Sequence, residues 1–258
     1  ITTLQVAANP LAAALGPPES SHFRLTFAQA FNSLGVVLGV NFGSKIMLGE
    51  EVLKSGHAPI TNAADRLLAL QAVSHAFLLI AALLAGLMAF IWFSRKRISD
   101  AAEGVADEGG GSVLDALKSR WALFGSVAIG LYVGAEVSIG SIMINFLNQP
   151  EILNLPLEIA GFYLANIYWM GALIGRFVGS CLLTRLAAPK LLMTAASFAS
   201  LLCLTVAFSG GPMAGYAALS VGLFNSIMFP TIFTITLERA GVSQASTSGL
   251  LCVAIVGG

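Results

Sequence analysis

The sequence predicts an all-α membrane protein, because its composition is too apolar for water and its apolar runs are continuous. Of its 258 residues, 57% are hydrophobic and only 10% are charged, whereas soluble domains carry about 25% charged residues. A helix that crosses a membrane needs about 20 mostly apolar residues. The runs in this chain are apolar throughout rather than alternating with polar residues, which favours helices over a β-barrel.

About eight transmembrane segments are predicted. The longest apolar run, Leu191–Leu237, has 47 residues without a charge, which is too long for one helix, and Ser209–Pro212 is a turn signal that divides it in two. The remaining runs are Ile1–Leu15, Leu25–Ser44, Leu67–Phe93, Trp121–Leu147, Ile159–Gly175 and the stretch from Ala245 onward. Since the chain begins without a methionine and stops within an apolar run, we expect a fragment that lacks both ends of a longer protein.

The basic residues predict how these segments are oriented. Ten of the 13 Lys and Arg residues fall in alternate loops on one side, and three fall on the other. The ten are Arg24, Arg95, Lys96, Arg97, Lys118, Arg120, Arg176, Arg185, Lys190 and Arg239; the three are Lys45, Lys54 and Arg66. The positive-inside rule places the side with ten in the cytoplasm.

One long loop divides the chain into two predicted bundles. Residues 99–112 are polar and acidic and end in a triple glycine, a composition that cannot bury enough apolar surface to fold alone. We therefore expect residues 1–93 to form part of a first helix bundle, residues 94–118 a cytoplasmic linker and residues 119–258 a second bundle.

Several classes of function are excluded by what the sequence contains. The net charge is zero, whereas nucleic-acid binding needs a basic surface. The three cysteines lie in apolar runs without paired spacing, the three histidines are scattered, and no phosphate-binding, dinucleotide or nucleophile motif is present. We therefore predict a protein that is not an enzyme and that has no metal site and no cofactor.

One acidic residue lies inside a predicted membrane helix. Glu136 stands near the middle of the run Trp121–Leu147, whereas the other acidic residues lie in loops or at segment ends. A charge at the centre of a membrane helix costs about 2.5–3.5 kcal/mol, so it normally faces a cavity or a partner. Glu136 is therefore the candidate for proton coupling and substrate binding; the alternative is a carboxyl satisfied by an interhelical hydrogen bond.

Amide side chains form a second group of candidates. They lie on four of the predicted helices and they combine donors and acceptors, which matches sugar hydroxyls without the insertion penalty of a charge. The predicted substrate-binding residues are Gln5, Asn9, Gln29, Asn32, Asn166 and Asn225, together with Glu136. The alternative for each amide is a hydrogen bond that holds two helices together, worth about 0.6 kcal/mol.

Small residues and prolines predict how the helices pack. Two series of glycines recur every fourth residue, a spacing that lets two helix backbones approach closely: Gly35, Gly39 and Gly43, and Gly171, Gly175 and Gly179. Pro10 and Pro230 each remove one backbone hydrogen bond and are expected to kink their helices.

Several short sequences resemble one family of transporters. Leu4–Pro10, Leu15–Glu19 and Ala28–Gly35 resemble the fucose/galactose/glucose:proton symporter family of the major facilitator superfamily, the L-fucose permease-like proteins. Tyr132–Ser141 resembles the glucose/galactose transporter branch of that family, and Gly175–Gly179 and Phe229–Phe233 extend the match. The resemblance implies twelve helices in two six-helix bundles in the full-length protein.

The same resemblance implies roles for some candidates. In L-fucose permeases, the positions of Gln29 and Asn32 contribute to the sugar pocket, and the position of Gln5 is a functional glutamate. Here that position is an amide, while the glutamate at Glu136 is typical of the glucose/galactose branch. This exchange favours a hexose over fucose as the substrate.

We therefore expect a secondary active transporter that imports a hexose, glucose or galactose, across the bacterial inner membrane by alternating access. Its partners would be a small-molecule sugar and the lipid bilayer, and it would work as a monomeric carrier coupled to protons. Sodium coupling, an L-fucose or other neutral-sugar permease, and a membrane sensor that binds sugar without transporting it remain as alternatives.

Overall fold

The structure is a computed structural model that describes residues 8–13, 15–43, 63–103 and 112–257. The helices, in chain order, are α1 (Ser21–Leu38), α2 (Ala63–Glu103), α3 (Val113–Ala116), α4 (Arg120–Asn148), α5 (Leu157–Leu183), α6 (Ala188–Phe208), α7 (Gly211–Arg239) and α8 (Gln244–Gly257). Residues 8–13 are also helical, and no strand occurs within these ranges. The predicted all-α class is therefore confirmed.

Five of these helices are long and apolar enough to cross a membrane. They are Val73–Asp100 within α2, and α4, α5, α6 and α7, with 21 to 29 residues each. The helix α8 is apolar but shorter, at 14 residues. The break predicted after Ser209 is confirmed, since α6 ends at Phe208 and Gly211 opens α7 with a positive φ of 67° that favours glycine. The protein is thus a multi-pass membrane protein.

The chain divides into two compact units, residues 1–34 with 105–258, and residues 35–104. The core of the first unit lies where α4, α7 and α8 meet around Ile129, Phe233 and Leu251, which are fully buried. The second unit contains α2, whose large apolar side chains are mostly exposed, as suits a helix that faces lipid. The Arg95 guanidinium lies 4.0 Å from the centre of the Trp92 ring at the end of this apolar stretch.

Two of the membrane helices of the first unit are irregular. The helix α5 changes to π geometry over Leu164–Trp169 and returns to α geometry from Met170 to Leu183. The helix α7 is interrupted at Ser226 and Ile227, between its segments Gly211–Asn225 and Met228–Arg239. The interruption lies just before Pro230, as expected for a proline that leaves the carbonyl four residues earlier without its helical donor.

The glycines of α5 pack directly against this interruption. A Cβ atom added at Gly175 would collide with the carbonyl of Leu223 and the side chain of Ser226, and one at Gly179 would collide with Ile227. The close approach predicted from the spacing of Gly171, Gly175 and Gly179 is therefore confirmed. This close packing brings the middle of α5 against the backbone of α7 at its interruption. At Gly35 and Gly39 no described residue of another helix comes within 4 Å of an added Cβ atom, so the same prediction does not hold there.

Candidate functional site

A buried arginine lies at the centre of the site. Arg176 is the seventh residue of the α segment Met170–Leu183, and only 6% of its surface is exposed. Arg176 was predicted to be one of ten basic residues in cytoplasmic loops, and that prediction is wrong. The run of apolar residues continues after it, so that α5 extends to Leu183 rather than ending near Gly175. Without Arg176, nine basic residues remain on the side predicted to be cytoplasmic and three on the opposite side.

The interruption of α7 supplies acceptors for two side chains. Because Pro230 has no N–H, the carbonyl of Ser226 lacks its helical donor, and Nε of Arg176 donates to that oxygen at 3.0 Å. The carbonyl of Asn225 accepts from the hydroxyl of Tyr132 on α4 at 3.1 Å. The break in the helix thereby fixes α4 and α5 to the same point of α7.

Arg176 also reaches α1. Its Nη1 atom donates to the carbonyl of Gln29 at 3.1 Å and to the hydroxyl of Ser33. The rings of Phe31 and Phe177 pack edge to face beside these bonds, with centroids 6.4 Å apart. Both the polar and the apolar contacts therefore join α1 to the middle of α5.

Glu136 lies on α4 one turn after Tyr132 and is partly buried. Its carboxyl lies within electrostatic range of the Arg176 guanidinium and of the Tyr132 hydroxyl, whose proton goes to the Asn225 carbonyl. Tyr168, in the π segment of α5, also lies within the electrostatic reach of Glu136. The single acidic residue predicted inside a membrane helix thus lies within electrostatic range of one cation and two phenols.

The predicted amides fall into separate positions. The Nε2 atom of Gln29 lies 3.4 Å from Oδ1 of Asn9, and Nδ2 of Asn32 lies 3.4 Å from Oε1 of Gln29, so these three form one chain along α1 and residues 8–13. Asn225 is buried and donates to the hydroxyl of Tyr168 at 3.4 Å. Asn166 donates to the carbonyl of Phe162 in its own helix at 3.0 Å. Gln5 lies outside the described residues.

One donor in this amide chain has no partner. Asn9 is only 6% exposed, and its Nδ2 atom makes no hydrogen bond with any described residue. A buried amide donor without a partner costs about 1–3 kcal/mol. A ligand with hydroxyl or carbonyl oxygens would recover that energy.

Arg176 and Tyr168 belong to the site although neither was predicted from the sequence to be a site residue. For Arg176 a signal was present, because the glycine ladder and the apolar residues 177–183 continue past it and a membrane carboxylate needs a counter-charge. For Tyr168 the signal was weak, since only the π segment turns its ring towards Asn225. No group of His, Cys, Asp and Glu that could hold a metal occurs in the part of the chain that the structure describes.

An apolar cavity of about 730 Å³ opens beside this site, between α4, α6 and α7. Tyr132 and Asn225 form its polar end, and residues such as Leu131, Leu192 and Leu204 form the rest of its wall. A lining of this kind suits hydrocarbon rather than a polyhydroxylated solute. The amide chain and Glu136 are therefore the better candidates for contact with a polar substrate.

The solved structures similar to this chain show the fold it adopts. The structure of a variant of the Escherichia coli fucose:proton symporter FucP matches with a TM-score of 0.79 and 29% identity, over 99% of this chain and 64% of that one. FucP in an outward conformation, described as a major facilitator superfamily transporter, matches with a TM-score of 0.76 and 28% identity, over 99% of this chain and 63% of that one. The chain has the major facilitator fold.

The most informative relatives in sequence are sugar transporters. The glucose/galactose transporter of Brucella abortus is 39% identical over all of this chain and 60% of its own length. The L-fucose-proton symporter of Escherichia coli is 32% identical over 99% of this chain and 60% of its own length. These relatives confirm the resemblance to the fucose/galactose/glucose:proton symporter family, and they are transporters rather than enzymes. The chain spans about 60% of the length of these relatives, and no protein-family model matches it.

Proposed function

We propose that the protein is a secondary active transporter that imports a hexose by alternating access in symport with a proton. The observation that carries this proposal is the similarity of the whole chain to a glucose/galactose transporter. The site supports it, since the membrane helix α4 carries a carboxylate, Glu136, and α1 with residues 8–13 carries a chain of amides that includes a buried donor on Asn9. Amides suit sugar hydroxyls, and a carboxylate can take up and release a proton.

In this proposal the amides orient the sugar and Glu136 carries the proton. The substrate-binding residues are Gln5, Asn9, Gln29, Asn32, Glu136, Asn166 and Asn225. Residues 1–93 belong to a first bundle, residues 94–118 form a cytoplasmic linker, and residues 119–258 belong to a second bundle. The carrier works as a monomer in the bacterial inner membrane, and rocking of the bundles exposes the site to each side in turn.

The test is counterflow of labelled sugar in liposomes that contain the full-length protein. We expect exchange of glucose and galactose, accumulation that depends on a proton gradient, and no effect of sodium. Sugar binding without counterflow would favour a sensor, faster exchange of L-fucose would favour a fucose permease, and accumulation driven by a sodium gradient would contradict proton coupling.

Two variants assign the roles of the residues. Glu136→Gln should abolish proton-driven accumulation while retaining exchange, because an amide can form hydrogen bonds but cannot carry a proton. Asn32→Ala should weaken glucose binding in protein that inserts normally. Proton-driven accumulation in Glu136→Gln, or unchanged affinity in Asn32→Ala, would show that the residue has been assigned wrongly.

A further inference from the structure

The burial of Arg176 requires an explanation beyond the binding of sugar by amides. An arginine inside a membrane protein is costly unless its charge is compensated and its donors are satisfied. Here it lies within α5, seven residues before that helix ends at Leu183, with 6% of its surface exposed. Its partners therefore determine where the side chain is stable.

The hydrogen-bond acceptors of Arg176 are neutral and lie on two other helices. The carbonyl of Ser226 belongs to α7, whereas the carbonyl of Gln29 and the hydroxyl of Ser33 belong to α1. Neutral acceptors satisfy the geometry of a guanidinium but leave its charge uncompensated. The bonds to α1 are therefore stable in a dry site only while an anion lies nearby.

Glu136 is the anion that meets this need. Glu136 lies one turn after Tyr132, whose hydroxyl donates to the Asn225 carbonyl, next to the Ser226 carbonyl that Arg176 binds. It forms no direct ion pair with Arg176, and the other titratable groups that face it in the described residues are Tyr132 on its own helix and Tyr168 on α5. Both phenols are neutral: the Tyr132 hydroxyl donates to the Asn225 carbonyl and the Tyr168 hydroxyl accepts from Asn225. The charge that balances Arg176 is thus the same carboxylate that, under the proposed function, takes up the proton.

We propose that Arg176 is a positioning residue that links the charge of Glu136 to the contact between α1 and α5. With Glu136 ionised, the guanidinium is balanced and its bonds to Gln29 and Ser33 hold α1 in place. With Glu136 protonated, the same bonds surround an unbalanced buried cation, so the contact opens and water reaches the guanidinium. The proton moves between water and the carboxylate, and no other bond is made or broken.

The contact can be measured by cross-linking across the two helices, independently of sugar transport. Cysteines at Phe31 and Phe177, in full-length protein without its native cysteines, would report the closed contact because these rings lie 6.4 Å apart. At one fixed pH, Glu136→Gln, which mimics the protonated carboxyl, should reduce the cross-linking about tenfold, the usual size of coupling between two sites. Equal cross-linking of the two cysteines with Glu or with Gln at position 136 would overturn the proposal.

A second substitution separates the coupling from a general loosening of the fold. In an Arg176→Gln background there is no buried cation, so Glu136→Gln should leave the cross-linking unchanged. A further loss of cross-linking on adding Glu136→Gln to Arg176→Gln would contradict the role of the guanidinium. Arg176→Lys keeps the positive charge but loses the several N–H donors of the guanidinium. In this background Glu136→Gln should still reduce the cross-linking, and an unchanged level of cross-linking would count against the charge as the cause of the coupling.

The control pair lies within the second bundle. Phe198 on α6 and Phe224 on α7 are stacked with ring centroids 5.1 Å apart, and neither residue belongs to α1 or α5. Cysteines at these two positions should cross-link to the same extent whether residue 136 is Glu or Gln. A loss of this cross-link in Glu136→Gln would show that the fold as a whole has loosened and would refute the specific coupling. This inference rests on the proposed proton symport, but the two can fail separately. If the wild type showed no sugar counterflow while cross-linking between α1 and α5 still fell in Glu136→Gln, only the transport proposal would be refuted.

Discussion

The imidazole of His22 lies 3.3 Å, through Nε2, from Oε2 of Glu238, joining the first turn of α1 to the last turn of α7. The other oxygen of this carboxylate, Oε1, accepts a hydrogen bond of 2.6 Å from the hydroxyl of Ser21. The Nδ1 atom of His22 contacts the hydroxyl of Thr234 one turn earlier on α7. The cluster lies on the side that the basic residues predict to be cytoplasmic, so it is placed to hold that side closed.

The first prediction is that Glu238→Gln weakens this closure. The amide keeps an acceptor for Ser21 but loses the charge that attracts His22, and since Glu238 is half exposed the loss should be about 1 kcal/mol or less. A cysteine in place of Thr26, which is fully buried on α1, should then react a few-fold faster with a maleimide added from the cytoplasmic side. Glu158→Gln at the exposed start of α5 is the control, and equal labelling of the two variants would count against the closure.

The second prediction concerns the packing of α5 on α7. Gly175→Ala should lower the melting temperature in detergent, because the added methyl collides with the Leu223 carbonyl and the Ser226 side chain, and overpacking costs about 1–3 kcal/mol. Gly140→Ala on α4 is the matched control, since its methyl would lie at an ordinary 3.8 Å from the ring of Trp169. If Gly175→Ala melted with the wild type, the two backbones would not be in close contact.

The sequence predicted the helices well because a membrane imposes a simple rule on every segment that crosses it. The break after Ser209 and the close approach of Gly175 follow from local signals that tertiary structure does not override. The burial of Arg176 inside α5 could not be predicted from the sequence in the same way. A charge ends an apolar run whether the helix stops there or buries the charge against a partner, and only the positions of Glu136 and Ser226 in space distinguish the two.

The site shows the same division between local and distant information. That Glu136 lies inside a membrane helix is visible in one run of the sequence. The carbonyls of Asn225 and Ser226 became part of the site because the interruption before Pro230 releases backbone groups, and side chains from α4 and α5 then satisfy them. Such pairings depend on which helices are neighbours, which a single sequence does not specify.

The third prediction concerns the short helix α3, which lies outside the membrane helices. The carboxylate of Asp115 accepts hydrogen bonds from Nζ of Lys118 at 2.8 Å and from the backbone N–H of Ser112 at 3.0 Å, and these hold its pKa below the ordinary value. A lowered pKa in the folded state means that the carboxylate stabilises this turn above the unfolded pKa and loses that effect as the pH falls through the folded one.

Lys118→Met should therefore raise the pKa of Asp115 towards its ordinary value, because the side-chain hydrogen bond to Lys118 is the main cause of the shift. Carbon NMR of the Asp115 carboxyl group during a pH titration measures this directly. Lys190→Met, at an exposed position on α6, is the control. A pKa of Asp115 that did not move in Lys118→Met would assign the shift to the cap bond from Ser112 instead.

The last prediction is that Tyr132→Phe destabilises the protein more than the loss of one exposed hydroxyl would. The hydroxyl of Tyr132 is buried and donates to the carbonyl of Asn225 at 3.1 Å. Removing it leaves a buried carbonyl without a donor at the interruption of α7, which costs about 1–3 kcal/mol. The melting temperature in detergent should fall by several degrees. The control is Tyr163→Phe, which removes a hydroxyl that makes no hydrogen bond to any described residue and should leave the melting temperature unchanged. Equal melting temperatures of the two variants would mean that the Asn225 carbonyl finds another donor.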